Sequence, residues 1–206
     1  MALADADYCF LAVDIGSDGS NSDGDIFANS LLGQGLATNQ LNLAPPVRLP
    51  EGSLLGSMPY VVVGDEACPL KTYLLRPYPG KALSIDKRVF NYRLSRARRI
   101  SENAFGIPAQ RWRIFQRRIN LHPSKCEKLV KACCILHYYL QKLHCNDLVT
   151  NNDEGETDQH EVHGLQHIPN MGCRASMQAY ACRDKFKAYF CMGDGEVPWQ
   201  YTTVQR

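Results

Sequence analysis

The order of elements along the chain predicts an α/β layer architecture finished by helices. Three observations carry it. A Tyr/Phe/Val/Ile-rich strand candidate, Tyr8–Ile15, is followed by a helix candidate and then by the β-branched run Tyr60-Val61-Val62-Val63, which Gly64 stops. From Pro123 onward, Cys126, Leu129, Cys133, Leu136, Leu140 and Leu143 recur at steps of three and four, the spacing of one helical face. With 45% hydrophobic and 21% charged residues the chain has the make-up of a globular protein, so disorder throughout is excluded. No apolar run reaches the roughly eighteen residues a membrane-spanning helix needs, and no membrane association is expected. Asp5 and Asp7, close behind Met1, suit neither a signal peptide nor a transit peptide. The 9 cysteines are an odd number without framework spacing, as in a cytosolic or nuclear protein with reduced thiols.

Each element follows from its residues. Met1–Ala4 is a short apolar piece, Asp5-Ala6-Asp7 a turn, and Tyr8–Ile15 a strand ended by Gly16. Ser17–Ser22 is a Gly/Ser/Asp loop. Asp23 is placed to cap a helix that buries Ile26, Phe27 and Leu31 and fades at Gly33 and Gly35. Gln40–Met58, with three prolines, is a connection, and Tyr60–Val63 reads as a buried strand with Asp65 just past its C-terminal end. Leu70–Gly80 is irregular. Ile85–Arg99 is helical and basic, Ser101–Phe105 continues it, and Pro108 is expected to kink or end it. Gln110–Ile119 fits either a strand or a further helix. Residues 146–175 lack an aliphatic pattern and read as an acidic linker, after which Ser176–Phe190 forms an amphipathic helix. The expected division is 1–145, linker 146–175, and a C-terminal helix and tail 176–206.

A net charge of +2 conceals segregation. Residues 1–65 hold eight acids against Arg48, whereas residues 81–118 hold eleven Lys/Arg against Asp86 and Glu102. A concentrated basic block suggests a polyanionic partner. Lys87, Arg88, Arg93, Arg96, Arg98, Arg99, Arg111 and Arg113, interleaved with Tyr92 and Trp112, suit contacts to DNA phosphates, and Arg117 and Arg118 extend the set. Such contacts position a duplex without reading its sequence. A solvated helix face is the plainer use of the same charges.

Three acids are candidates for chemistry. Asp65 follows a strand's carboxyl end, where ligands gather in open α/β sheets. Glu102 lies on the basic helix, and Asp23 stands at a loop–helix junction. Carboxylates converging from such positions can hold Mg²⁺ or Mn²⁺, hard cations that prefer oxygen ligands. Each also has a structural use: Asp23 as a helix cap, Glu102 as an ion-pair partner of Arg98 or Arg99. Cys133, Cys134 and His137 invite a zinc reading, but thiols on or beside an apolar stripe behave as small hydrophobes.

Several segments in order resemble a known family. Val63-Gly64-Asp65-Glu66-Ala67-Cys68-Pro69-Leu70, Leu75-Arg76-Pro77-Tyr78, Phe90–Arg98, Glu102-Asn103-Ala104-Phe105-Gly106, Arg111–Phe115 and Ala132–His137 are similar to motifs of the PIF/Harbinger transposase-derived nucleases, a branch of the DDE superfamily. Phe10–Gly16 with Gly19–Asp23 looks like the strand and loop upstream. Arg183-Asp184, Phe186, Tyr189-Phe190 and Val197–Gln200 look like the family's tail. The resemblance covers about residues 1–145 and 176–200.

The resemblance implies a ribonuclease-H-like DDE nuclease core and divalent-metal-dependent cleavage of DNA, with transposable-element ancestry. By position, Asp65 and Glu102 are the implied catalytic metal ligands, and Asp23 an additional acid near the metals. The family's first triad Asp belongs to a central strand in a "DGTH"-like segment upstream of these motifs. Asp5, Asp7 and Asp14 do not lie in such a segment, so the core is expected to lack its first strand. That leaves open a non-catalytic derivative binding DNA or a protein, and a truncated gene product. Pro108 and Tyr138 depart from the family's usual pattern. A Myb-like DNA-binding partner is implied by the resemblance alone, and the nucleus, or nucleus and cytoplasm, is the expected location.

Overall fold

The structure is a computed structural model, and it describes residues 1–17, 20–41, 43–50, 53–148 and 175–205. In chain order its elements are β1 (Ala2–Ala4), β2 (Phe10–Val13), α1 (Asp23–Asn29), α2 (Leu31–Ala37), β3 (Val47–Arg48), β4 (Ser57–Met58), β5 (Val62–Val63), β6 (Leu74–Leu75), α3 (Ile85–Arg111), α4 (Pro123–Leu148), α5 (Met177–Tyr189) and α6 (Gln200–Val204), with single 3₁₀ turns between some of them. Helices are thus mixed with small sheets. The strands form three separate two-stranded pairs, β1–β2 and β3–β4 antiparallel and β5–β6 parallel. Strands of two to four residues are too short to build one broad sheet. Among the described residues no helix is long and apolar enough to cross a membrane.

The chain divides into two compact units. The first comprises Met1–Gly16 and Ile100–Met171. Its hairpin turns at Asp5, whose carboxylate accepts from the backbone N–H of Asp7 and of Cys9 at 3.0 and 2.9 Å. Tyr8 adopts a left-handed φ of 60° there, and its carbonyl meets Nε2 of His137 at 2.7 Å. His137 is fully buried against the Phe10 ring, whose centroid lies 4.9 Å away. Burial holds this imidazole below its ordinary pKa, with the Tyr8 carbonyl opposing and Arg111 reinforcing the shift. The hairpin therefore packs on α4 through His137. That rotates the packed face from the expected stripe: Leu136 and Leu143 are exposed, while Cys133, His137 and Gln141 are buried. Burial raises both thiol pKa values, as for small apolar groups in a packed face.

The second unit comprises Ser17–Arg99 and Gly172–Arg206. One cluster joins Leu70, Leu75, Tyr78, Phe90, Leu94, Ala179 and Cys182, and another joins Phe27, Leu36 and Leu74. Fully buried Phe90 alone contributes about 1.5–3 kcal/mol of transfer free energy. The β5–β6 pair supplies the divide: Leu74 faces one cluster and Leu75 the other, as alternation along a strand requires. Helix α5 matches the expected Ser176–Phe190, with Ser176 as N-cap and Phe190 as C-cap.

Four expectations are corrected. Ser22, not Asp23, caps α1: its hydroxyl accepts from Asp25 N–H at 3.2 Å, and Asp23 is the first helical residue. The helix does not fade at Gly33 and Gly35, which lie buried inside α2; a break at Ser30 separates α1 from α2 and leaves Leu31 88% exposed. Gly33 is required by packing, since a Cβ there would lie 1.9 Å from the Phe27 carbonyl oxygen. The Val run is a strand only at Val62–Val63, half-buried, with Tyr60 53% exposed. Pro108 does not end α3, which continues to Arg111. A proline there removes one donor three residues before the helix stops, and its buried ring offsets part of that loss. Gln110–Ile119 resolves as the end of α3 and a 3₁₀ turn, Arg113–Gln116. Of the expected linker, residues 149–174 lie outside the described residues.

Candidate functional site

Asp65 leaves β5 immediately after Gly64 and closes a tight loop. Its Oδ1 accepts from Ala67 N–H at 3.0 Å and from Cys68 N–H at 3.2 Å, an Asx turn that fixes the carboxylate. Gly64 makes the turn possible: a Cβ there would stand 2.8 Å from both Cβ and Sγ of Cys68. Arg76, just beyond β6, braces the loop with its guanidinium 3.4 Å from the Cys68 carbonyl oxygen.

The first turn of α1 rests on the same loop, where a Cβ at Gly24 would come within 3.2 Å of the Ala67 carbonyl oxygen. Asp23 is thereby carried to the neighbourhood of Cys68. The Cys68 thiol records both carboxylates: burial, then the charge and hydrogen bond of Asp65, and more weakly the charge of Asp23, push it up to about 12. It stays a protonated S–H near neutral pH and is no thiolate ligand. The loop offers the Asp65 carboxylate and backbone carbonyls, with Asp23 in the neighbouring first turn of α1, oxygen donors of the kind Mg²⁺ or Mn²⁺ prefers over a soft ion. That fits the cation the sequence implies. Among the described residues, no group of three or more His, Cys, Asp or Glu gathers as a ready metal cage. Mg²⁺ commonly takes only one or two protein carboxylates and keeps its waters.

The remaining candidates are distributed as follows. Glu102 is exposed on α3 within the first unit, and Asp23 and Asp65 belong to the second. Arg93 is committed to packing: it donates to the Gly195 carbonyl oxygen at 2.8 Å and stacks 4.7 Å from the Phe190 ring centroid. Arg96 lies over Trp199 at 5.4 Å, and Lys87 over Tyr78 at 5.4 Å. Arg88, Arg99, Arg111 and Arg113 are exposed, and Arg98 is half-buried. Sequence reasoning missed Gly64, Cys68 and Arg76 as builders of the loop. All three stand inside the segments that carry the family resemblance, which was the available signal.

An α/β domain of mixed helices and small sheets, with an acid fixed at the end of a parallel strand, is the class these features define, and it suits a nuclease. Residues 1–138 match the family described as DDE superfamily endonuclease, and the chain belongs to that family. This agrees with the Harbinger transposase-derived resemblance of its motifs. It is also 28% identical over 197 residues to the protein named ALP1-like from Arabidopsis thaliana, covering 92% of this chain. The chain spans 45% of that relative's length. No solved structure matches.

Proposed function

We propose that this chain is the DNA-handling core of a Harbinger-type nuclease that cleaves phosphodiesters with a divalent metal, on a ribonuclease-H-like framework. The observation that carries it is the convergence of Asp65 and Asp23 on the Cys68 loop at the end of β5. Asp65 and Asp23 would hold the cation, and the family resemblance implies a metal-ligand role for Glu102. Bound there, the metal supplies an activated water and charge neutralisation at the leaving oxygen. The protein's own part is positional. The Asx turn holds Asp65 in one rotamer, Arg76 steadies the loop, and Cys68 excludes water behind the carboxylate while donating its S–H to it. The exposed cations Arg88, Arg99, Arg111 and Arg113 hold the backbone. Residence in the nucleus and cooperation with a separate Myb-like DNA-binding protein follow from this reading.

The test is nicking of supercoiled plasmid by the purified chain with Mg²⁺ or Mn²⁺. Nicking that needs metal and disappears in Asp65→Ala and Glu102→Ala is the expected result. Metal-independent nicking, or nicking that survives both substitutions, refutes it. A second reading, a derivative that binds DNA and cuts nothing, is favoured by the engagement of the Asp5 carboxylate in its own turn, which removes one upstream acid from metal duty. Metal-dependent binding without cleavage by folded protein would select that reading.

A further inference from the structure

The hairpin β1–β2 pairs strands of three and four residues, and a pair that short is marginal in water by itself. It is held by what it packs on. Phe10, 7% exposed, lies 5.2 Å from the Phe105 ring of α3 and 4.9 Å from the His137 ring of α4. The polar tie is the 2.7 Å hydrogen bond between His137 Nε2 and the carbonyl oxygen of Tyr8, a residue whose φ of 60° is uncommon outside glycine.

A carbonyl only accepts, so Nε2 carries the ring hydrogen, and the neutral ring leaves Nδ1 as a bare lone pair. Nδ1 is buried without a hydrogen-bond partner among the described residues, and His137 is 0% exposed. This arrangement accommodates one protonation state. A second ring proton would place an N–H with no acceptor, and a full charge, where water does not reach. The titratable and charged groups around the ring are Asp5, Asp7, Tyr8 and Cys9 on the hairpin, Cys133, Cys134 and Lys142 on α4, Arg111 on α3 and the Met1 amine. Neither carboxylate hydrogen-bonds the ring: Asp5 accepts from its own turn and Asp7 is exposed. Arg111 opposes a further positive charge. Charging the ring would strengthen its bond to the Tyr8 carbonyl, but burial outweighs that gain.

We infer that His137 is an acid-sensitive latch: the hairpin stays docked on α4 while the ring is neutral and comes off when the ring takes a second proton. The latch belongs to the first unit alone and holds whether or not the chain cleaves DNA. A freed ring titrates near its ordinary 6.5, and the docked ring below it. Docking is therefore at full strength above that ordinary value and weakens as pH falls from it toward the lowered one.

The experiment follows amide hydrogen exchange of the full chain by mass spectrometry from about pH 7.5 to about pH 5.5, corrected for the intrinsic pH dependence of exchange. Protection of the hairpin is expected to fall, relative to β5–β6 in the second unit, by up to about tenfold per pH unit below the ordinary histidine value. No relative change overturns the latch. His137→Gln keeps a donor for the Tyr8 carbonyl and takes up no proton; it is expected to retain the protection and lose its pH dependence. The same acid loss in this variant overturns the latch too. Should the variant fail to fold, the wild-type ring decides. Its NMR titration is expected to show the Nε2–H form, charging below the ordinary value in step with the loss of hairpin protection. A ring that charges at or above that value, or with the hairpin still protected, overturns the inference.

Discussion

The arginines of this chain divide into two populations that composition does not separate. In the second unit Arg183 is 5% exposed, lies 3.8 Å from the centroid of the Tyr78 ring and has its guanidinium 3.4 Å from the Pro77 carbonyl oxygen. Arg93 similarly ties α3 to the Gly195 turn. In the first unit Arg113 and Arg117 line an open concavity with no protein partner among the described residues. The former hold the fold together, and the latter stand exposed. A cation sheathed by aromatic rings and carbonyls has exchanged its water for protein, whereas an exposed unpaired one has kept its hydration and its field.

Four measurements would break or sharpen that comparison. The largest effect is expected for Arg183→Ala, which removes a buried cation from Tyr78 and leaves a cavity; about 3 kcal/mol should be lost in a denaturant midpoint. Arg93→Ala should cost about 2 kcal/mol, from its bond to Gly195 and its stacking on Phe190, with its half-exposed position limiting the loss. A loss under a few tenths for either would place it with the free arginines. Tyr78→Phe should cost about 1 kcal/mol, since the phenol donates to Asp184 at 2.5 Å. Its signature is in the pH profile. The Tyr78 hydrogen bond, helped by Lys187 and Arg183 and opposed by burial, holds the Asp184 carboxyl below its ordinary 3.8. The stability this confers is complete above that value and is lost as pH falls through the lowered one. Tyr78→Phe should flatten that acid limb, and an unaltered limb would show that Asp184 draws its stabilisation elsewhere. The smallest effect is expected for Arg113→Ala/Arg117→Ala, within about 0.5 kcal/mol by thermal melting. A larger loss would mean these side chains hold the turn itself.

The same contrast explains the tail. Arg183-Asp184, Phe190 and Gln200 were legible as parts of a family pattern, but their purpose was not. Gln200 is fully buried, donates through Nε2 to the Phe190 carbonyl at 2.9 Å and accepts from Val197 N–H through Oε1. Each bond joins residues that sequence spacing does not pair, or ties a side chain to a backbone group, and neither leaves a periodic mark. The α4 face shifted for a similar reason. Leu136 and Leu143 have the stronger apolar character, yet the hairpin offers a carbonyl at Tyr8 and a ring at Phe10, which select His137.

By itself the sequence determined the family, the helices that begin at Ile85 and Pro123 and the one over Ser176–Phe190, the basic block, and Asp65 as the acid past a strand's end. These depend on local pattern: helical periodicity, capping chemistry, glycine at a turn, and ordered motifs. Only the tertiary structure decided that the first turn of α1 brings Asp23 near the Asp65 loop and its Cys68 thiol, that the Val run contributes only two residues of strand, and which arginines are spent on packing. Those outcomes depend on which groups meet across long stretches of chain. The energy of a charge or a polar atom is set by those neighbours and by the water they displace.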